Sequence, residues 1–393
     1  MASVTPDIQP VAEADIPPDL AVLISFSGEG GVERMMINLL HEFARLGLQV
    51  HLLLIKDNSE HLQHLPDNIR IIRLGSRHAL TSIWPLVNYL QQYNPPALLV
   101  AKDRAGRAAL IARAIAQRSK TRLQTRIVIR LGTNLSAALD GKPAWQRYSR
   151  LYPIRRLYPL ADAIVAVSEG VAADTVNNAR ISADKVHVVR NPVITPDLYE
   201  QANASLPASA VSDWLTNRTQ PVALAAGRLT RQKDFMTLLQ AVKQVNQTTP
   251  LRLIILGEGR QREALEQSIA ASGLQQQVAL PGFQANPYAW IQRADVFVLS
   301  SRWEGSPNVL TEAAALGVPV VATDCPSGPR ELLQDGYYGP LVPMGNAQAM
   351  ADAIIEVLND PHPVARLQEA TQAYTAQQSA QHYLSLLHHA VIR

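Results

Sequence analysis

Two carboxylates, Glu304 and Glu312, stand eight positions apart in "SRWEGSPNVLTEAAALG", which runs from Ser301 to Gly317. The stretch follows an apolar run, "DVFVLS" from Asp295, and reads as strand, turn and helix. Ser306 is placed to cap that helix, Pro307 to occupy its first turn and Gly317 to stop it. A helix start offers outward N–H groups and the positive end of the dipole, an anion site that suits a diphosphate. Glu304, on the turn, lies just outside that end, where a carboxylate can accept hydrogen bonds from hydroxyls. Positions four apart share a helix face, so Asn308 and Glu312 point to one side while Val309, Leu310 and Ala313 turn toward the core. A surface turn for Glu304 and a solvated helix position for Glu312 stay open as plainer readings. Taken together, the two carboxylates fit a polyhydroxyl ligand with a phosphate in its middle.

Two further stretches carry groups of the same kind. In "AAGRLTRQKDF", Ala225 to Phe235, Arg228 ends a strand and Lys233 lies near the start of the next helix. Two cations on one sheet edge can neutralise a diphosphate leaving group without a metal, although a solvated basic pair would look the same. In "SGEGGVERMM", Gly28, Gly30 and Gly31 follow a strand and precede a helix, so the backbone can approach a ligand closely or simply turn tightly. The third position of the dinucleotide fingerprint is Glu33 rather than glycine, which speaks against a nicotinamide dehydrogenase. The ten histidines form no metal-binding pattern; His61 and His64 come nearest to one, and there is no Asp-x-Asp pair. Metal-independent chemistry is expected. A nucleophilic hydrolase is disfavoured by the absence of a Gly-x-Ser-x-Gly turn.

These groups need sheet edges to hold them, and the chain supplies two sets. With 393 residues, 47% of them apolar and 18% charged, it should form two α/β domains. The first set of strands is "AVLISF" from Ala21, "VHLLLI" from Val50, "IRIIRL" from Ile69, "ALLVA" from Ala97, "RIVIR" from Arg126 and "AIVAV" from Ala163. The second is "PVALAAG" from Pro221, "LRLIILG" from Leu251, "VALPG" from Val278, "DVFVLS" and "VPVVAT" from Val318. Helix-length segments separate the strands, as in doubly wound parallel sheets. The expected plan is a loose tail over 1–19, a first domain over 20–195, a Pro- and Ser-rich connector over 196–220 and a second domain over 221–374. The last helix, about 375–393, is expected to pack back on the first domain. Ligands of such sheets bind beyond the strands' carboxyl ends, so the expected site lies between the two domains.

The tail has neither the basic start nor the apolar run of a signal peptide, and no uninterrupted apolar run of about eighteen residues suggests a span. A single cysteine, Cys325, excludes an internal disulfide and suits a cytoplasmic setting. The net charge of +3 does not indicate nucleic acid. One stretch, "WQRYSRLYPIRRLYPLAD" from Trp145 to Asp162, interleaves Arg147, Arg150, Arg155 and Arg156 with Tyr148, Tyr152 and Tyr158. It could rest on an anionic membrane or receive a lipid diphosphate, and equally pack a Leu and Tyr face on its own domain.

The spacing of Glu304 and Glu312 resembles the Glu-x7-Glu motif of the retaining glycosyltransferases of family four, which have the GT-B fold of two facing Rossmann-like domains. "GRLTRQKDF", "LGEGRQREALE" and "DCPSGPREL" are also similar to that family's blocks, and the resemblance covers nearly the whole chain after the tail. It implies a nucleotide-sugar donor held by the second domain. Arg228 and Lys233 would clamp the diphosphate, Glu304 would hold the donor sugar, and Glu312 the ribose. The N–H groups from Ser306 through Asn308 and Val309 to Leu310 would meet phosphate and sugar, and Gly282 and Phe283 of "LPGF" would border the base. Gly30 and Gly31, with Gly28 in the same loop, would sit beside the donor phosphate and the acceptor. Many members carry a histidine after the fifth strand, where this chain has "IRLGTNLS" with Arg130, Thr133 and Asn134.

The expected activity is therefore metal-independent, retaining transfer of a hexosyl-type sugar from a UDP-sugar, with no cofactor. Members with "SPNVLTEA" and "CPSGPREL" often build bacterial surface polysaccharide or lipopolysaccharide. A glycan or lipid-linked acceptor, reached from the cytoplasmic face of the inner membrane, is expected accordingly. A nucleotide-sugar epimerase of the same fold and a catalytically silent sugar-nucleotide-binding module are the alternatives.

Overall fold

A computed structural model describes residues 17–27, 31–58, 62, 65–118 and 123–387. The chain divides into two compact units, Met1–Pro192 with Ala376–Arg393, and Val193–Thr375. The expected tail to residue 16, His61 and His64, and the loop positions Gly28 and Gly30 lie outside the described residues.

The first unit is built on seven parallel strands, β1 (Leu20–Ser27), β2 (Val50–Asn58), β3 (Ile69–Arg73), β4 (Ala97–Ala101), β5 (Arg126–Leu131), β6 (Ala163–Ala166) and β7 (Val186–Val188), in the order β3-β2-β1-β4-β5-β6-β7. The second has six, β8 (Val222–Ala226), β9 (Arg252–Leu256), β10 (Val278–Gly282), β11 (Val296–Leu299), β12 (Val320–Thr323) and β13 (Leu341–Val342), ordered β10-β9-β8-β11-β12-β13. Both are Rossmann-like, and in each the order reverses beside the first strand, where doubly wound sheets bind ligands at the strands' carboxyl ends. All eleven expected strands form. The two that the sequence did not show, β7 and β13, are three and two residues long, too short for a hydrophobic pattern.

Central strands such as β4 and β8 are buried at every position because helices cover both faces. In the first unit Leu23, Leu98 and Ile127 face one apolar cluster, and Val22, Leu99 and Val128 face the other. The second cluster includes Met35, Leu39 and Phe43 of the helix Gly31–Arg45. It also includes Ala380, Tyr383 and Leu387 of the helix Ala376–Leu387, so the chain's last described helix packs on the first unit.

Residues 196–220 differ from the expected connector. They carry the helices Pro196–Ala202 and Asp213–Thr216, with Leu198 and Ala202 packed against Tyr288, and Leu215 in a core cluster of the second unit. Their Pro- and Ser-rich text punctuates short helices instead of spacing two domains.

Candidate active site

The second unit brings the turns after β8, β9, β10, β11 and β12 into one hydrogen-bonded rim. The Gly227 N–H donates to the Leu256 carbonyl at 2.9 Å, Leu229 N–H to Glu258 at 2.9 Å, and Gly257 N–H to Gly282 at 2.8 Å. This closeness requires a glycine at 257: its φ is +131°, and a Cβ there would lie 2.1 Å from the Gly227 carbonyl oxygen. At Gly227, φ +151°, a Cβ would fall 2.7 Å from Cε of Lys233. The bare backbone at 227 thus leaves the lane in which the Lys233 side chain lies.

Across the sheet's switch point the β8 and β11 turns are laced together. Arg302 N–H donates to the Gln232 carbonyl at 2.8 Å, Gln232 Nε2 to the Trp303 carbonyl at 2.8 Å, and Ser300 Oγ to the Lys233 carbonyl at 2.7 Å. Arg302 also pairs with Asp234 at 3.0 Å. The β12 turn joins them: Glu304 N–H donates to the Pro326 carbonyl at 2.7 Å, and Ser327 N–H to the Glu304 carbonyl at 3.2 Å.

The result is an ion pair at the carboxyl edge of the sheet. Lys233 Nζ lies 2.7 Å from Glu304 Oε1, with side chains only 15% and 9% exposed. Ser301 Oγ, fully buried, donates to the same Oε1 at 2.7 Å, and Thr323 Oγ1 fixes Ser301 by donating to its carbonyl at 2.6 Å. Both contacts use Oε1, so Glu304 Oε2 has no donor among the described residues. An ionised carboxylate has two acceptor oxygens, so the second is able to accept a further hydrogen bond. Beside it, Cys325 is buried and its thiol is pushed up to about 12, by burial first and by the charge of Glu304 second.

The helix Asn308–Ala315 begins four residues beyond Glu304. Its cap position is Pro307, with no side-chain capping bond, so the expected cap at Ser306 is corrected: the proline's fixed backbone enters the helix one residue later. The first bond of the helix start is Leu310 N–H to the Pro307 carbonyl at 3.0 Å, so the Asn308 and Val309 N–H groups precede it. Leu310 enters the core, Asn308 and Val309 are half-buried, and Gly317 takes φ +75° just past the helix end. Glu312 is 4% exposed, which removes the solvated-position reading.

Other expected site residues make no hydrogen bond or ion pair with these two side chains among the described residues. Arg228 is exposed, and its side chain makes no hydrogen bond or ion pair among the described residues. Gly282 closes β10, and Phe283 next to it is 50% exposed. Gly31 belongs to the first unit, where it opens the helix Gly31–Arg45. Sequence reasoning missed Ser301, Gln232, Asp234 and Thr323. Ser301, in "LSSRWEG", was adjacent to the motif, but its contact with Glu304 depends on how the turn closes. Among the described residues, no three His, Cys, Asp or Glu side chains are grouped to hold a metal ion.

Known proteins agree with this architecture. Residues 29–195 match the family description "Glycosyltransferase Family 4" and residues 210–374 match "Glycosyl transferases group 1". The N-acetylgalactosamine-N,N'-diacetylbacillosaminyl-diphospho-undecaprenol 4-alpha-N-acetylgalactosaminyltransferase of Campylobacter jejuni is 30% identical over 351 residues, covering 87% of this chain and 90% of that protein. A lipopolysaccharide core biosynthesis glycosyltransferase of Rhizobium meliloti, LpsE, is 34% identical over 149 residues, 38% of this chain and 43% of that protein. Among solved structures, Anabaena Alr3699/HepE in complex with UDP and glucose superposes with a TM-score of 0.75 at 19% identity, over 94% of this chain and 98% of that one. Both Rossmann-like units, the motif blocks and these relatives lead to one conclusion: the chain belongs to the family 4 glycosyltransferases and has the GT-B fold.

Proposed function

We propose that this glycosyltransferase moves a hexosyl-type sugar from a UDP-sugar to a glycan or lipid-linked acceptor, with retention and without a metal, in bacterial surface polysaccharide or lipopolysaccharide synthesis. The observation that carries the donor site is the Lys233–Glu304 pair at 2.7 Å on the rim of the second unit. In this reading Lys233 and Arg228 neutralise the diphosphate, the helix start at Asn308 and Val309 donates to it, and Glu304 Oε2 accepts from the sugar's hydroxyls. Glu312 takes the ribose, and Gly282 and Phe283 border the base. The bond from the anomeric carbon to the diphosphate oxygen breaks while the acceptor oxygen bonds to the same face. The acceptor's proton passes to the departing phosphate oxygen. Charge developing on that leaving group is what preorganised cations stabilise best. The named Campylobacter relative acts on a diphospho-undecaprenol, which supports a lipid-linked acceptor.

The same reading places the enzyme on the cytoplasmic face of the membrane through the helix Ala144–Leu157. Trp145, Tyr148 and Tyr152 are 69%, 62% and 46% exposed there, and Arg147 and Arg156 are exposed beside them. Arg150 and Arg155 instead turn inward to Asp103 and the Asn178 carbonyl, and Ile154 and Tyr158 enter the core. No described helix is long and apolar enough to cross a membrane.

The experiment is a panel of UDP- and GDP-sugars, with and without a bacterial lipid extract, read as nucleoside diphosphate release. Release of UDP that needs the extract is expected. Conversion of a nucleotide sugar without acceptor would identify an epimerase, and UDP binding without turnover in any extract a silent binding module.

A further inference from the structure

The first unit carries a partly buried charge cluster that the donor site does not use. Lys102 follows β4 at φ +79°, a strained backbone for a residue with a side chain. Its ammonium donates to the Ser25 carbonyl on β1 at 2.8 Å and to Glu33 in the first turn of the helix Gly31–Arg45 at 2.6 Å. An ammonium has three donors; two are engaged and the side chain keeps 32% exposure. Arg130, on the neighbouring strand β5, is 3% exposed. Its Nη2 donates to Asn191 Oδ1 at 2.8 Å, while its Nε has no hydrogen-bond partner among the described residues. The guanidinium is folded against Gly132, where a Cβ would stand 2.5 Å from Nη1. Tyr383 and Glu33 are its other electrostatic neighbours. Among the described residues, Lys102 is paired with Glu33, and Arg130 on the adjacent strand adds a second cation, its carbonyl accepting from the Lys102 N–H at 3.3 Å, at the carboxyl edges of three adjacent strands and at a helix start. A buried surplus cation is costly unless an anion compensates it.

We propose that Lys102 and Arg130 form an anion subsite in the first unit for a phosphate or diphosphate group of the acceptor. The free donor of Lys102 contacts the anion, and Arg130 supplies buried positive charge behind it. Only the identity of the anion as an acceptor group rests on the transferase reading.

The full-length protein, saturated with UDP, is titrated calorimetrically with inorganic pyrophosphate, and in a second arm with a polyprenyl diphosphate in detergent micelles. Wild type should bind, and Lys102→Met at least about 10-fold more weakly, since one charge-assisted contact is worth that much; Arg130→Met, which removes the charge behind that contact, should also bind more weakly. Arg130→Lys, which keeps the charge, should retain binding, separating lost charge from lost folding. Tighter binding in the lipid arm assigns the group to a lipid carrier and equal binding to a soluble phosphate ester; both sustain the subsite. Without pyrophosphate, Arg130→Met should melt no lower than wild type, because it removes a surplus buried charge. A lower Tm with pyrophosphate binding intact would make Arg130 a structural tie to Asn191 and Tyr383 and overturn the proposal, as would wild type that binds neither anion. Failure of UDP to bind would count against the donor site alone, because the pyrophosphate titration repeated without UDP still reads Arg130.

Discussion

At the scale of single residues, the candidate site turns on how a lysine and a glutamate from turns 71 positions apart reach 2.7 Å. Charges this buried depend on each other, so removing one strands the other. A double-mutant cycle between Lys233→Met and Glu304→Gln should show a coupling energy of about 1–3 kcal/mol in denaturant unfolding; additive losses would mean that solvent screens the pair. Cys325 offers a second check. With its thiol pushed up to about 12, it stays protonated at pH 8 and buried. Iodoacetamide should leave it unmodified there, and modify it once the chain is unfolded and the thiol's pKa returns to its ordinary range. Rapid alkylation of the native protein would show that the β12 turn opens. Glu304 was legible in the sequence because a carboxylate just past an apolar strand must lie on the sheet's carboxyl edge. Ser301 and Thr323 were not, since their contacts with the Glu304 turn follow from three-dimensional closure of the loops. Nor was the burial of Glu312, because helix periodicity fixes a face but not what covers it.

Among the elements, the rim is a product of glycines and short turns. Gly257→Ala should destabilise the second unit more than Gly227→Ala: the first puts a Cβ 2.1 Å from backbone, the second against a side chain that can move. The second should instead lower transfer by displacing Lys233, and comparing Tm with turnover for the two variants checks the order. The last helix is a separate case. Tyr383, fully buried with Ala380 and Leu387, contributes to the core of the first unit, and Tyr383→Ala should cost about 3–5 kcal/mol in equilibrium unfolding. Apolar runs revealed the long strands at once. β7 and β13 escaped because a strand of two or three residues is held by its neighbours' hydrogen bonds, not by a pattern of its own. The helices within 196–220 escaped because Pro196 reads as a breaker, although at the first turn it starts a helix.

For the whole molecule, the charge surplus of +3 is too small to draw the protein to a membrane by itself. Any attraction must come from a local surface, and the helix Ala144–Leu157 concentrates exposed Trp145, Tyr148 and Tyr152 with Arg147 and Arg156. Each arginine near an anionic surface is worth about 1 kcal/mol, so replacing both by serine should weaken binding to phosphatidylglycerol vesicles by roughly 30-fold at moderate salt. Undiminished co-sedimentation would remove that helix from the interface. The two sheets share one plan, each reversing strand order beside its first strand, yet their rims differ in chemistry. The second unit's rim sets a Lys–Glu pair beside a helix start, and the first unit's carries the Lys102–Glu33 pair with the buried Arg130 next to it.

The most direct measurement is turnover of the preferred UDP-sugar by Glu304→Gln, with UDP affinity measured on the same preparation. The substitution keeps the side chain's shape and removes the charge that is proposed to hold the donor sugar. Transfer should fall by about 100-fold or more, as for other groups that act on the transition state, while UDP binds within a few-fold of wild type and the far-UV spectrum is unchanged. Turnover preserved in that variant would contradict the assignment of Glu304 to the donor sugar, and with it the proposed site.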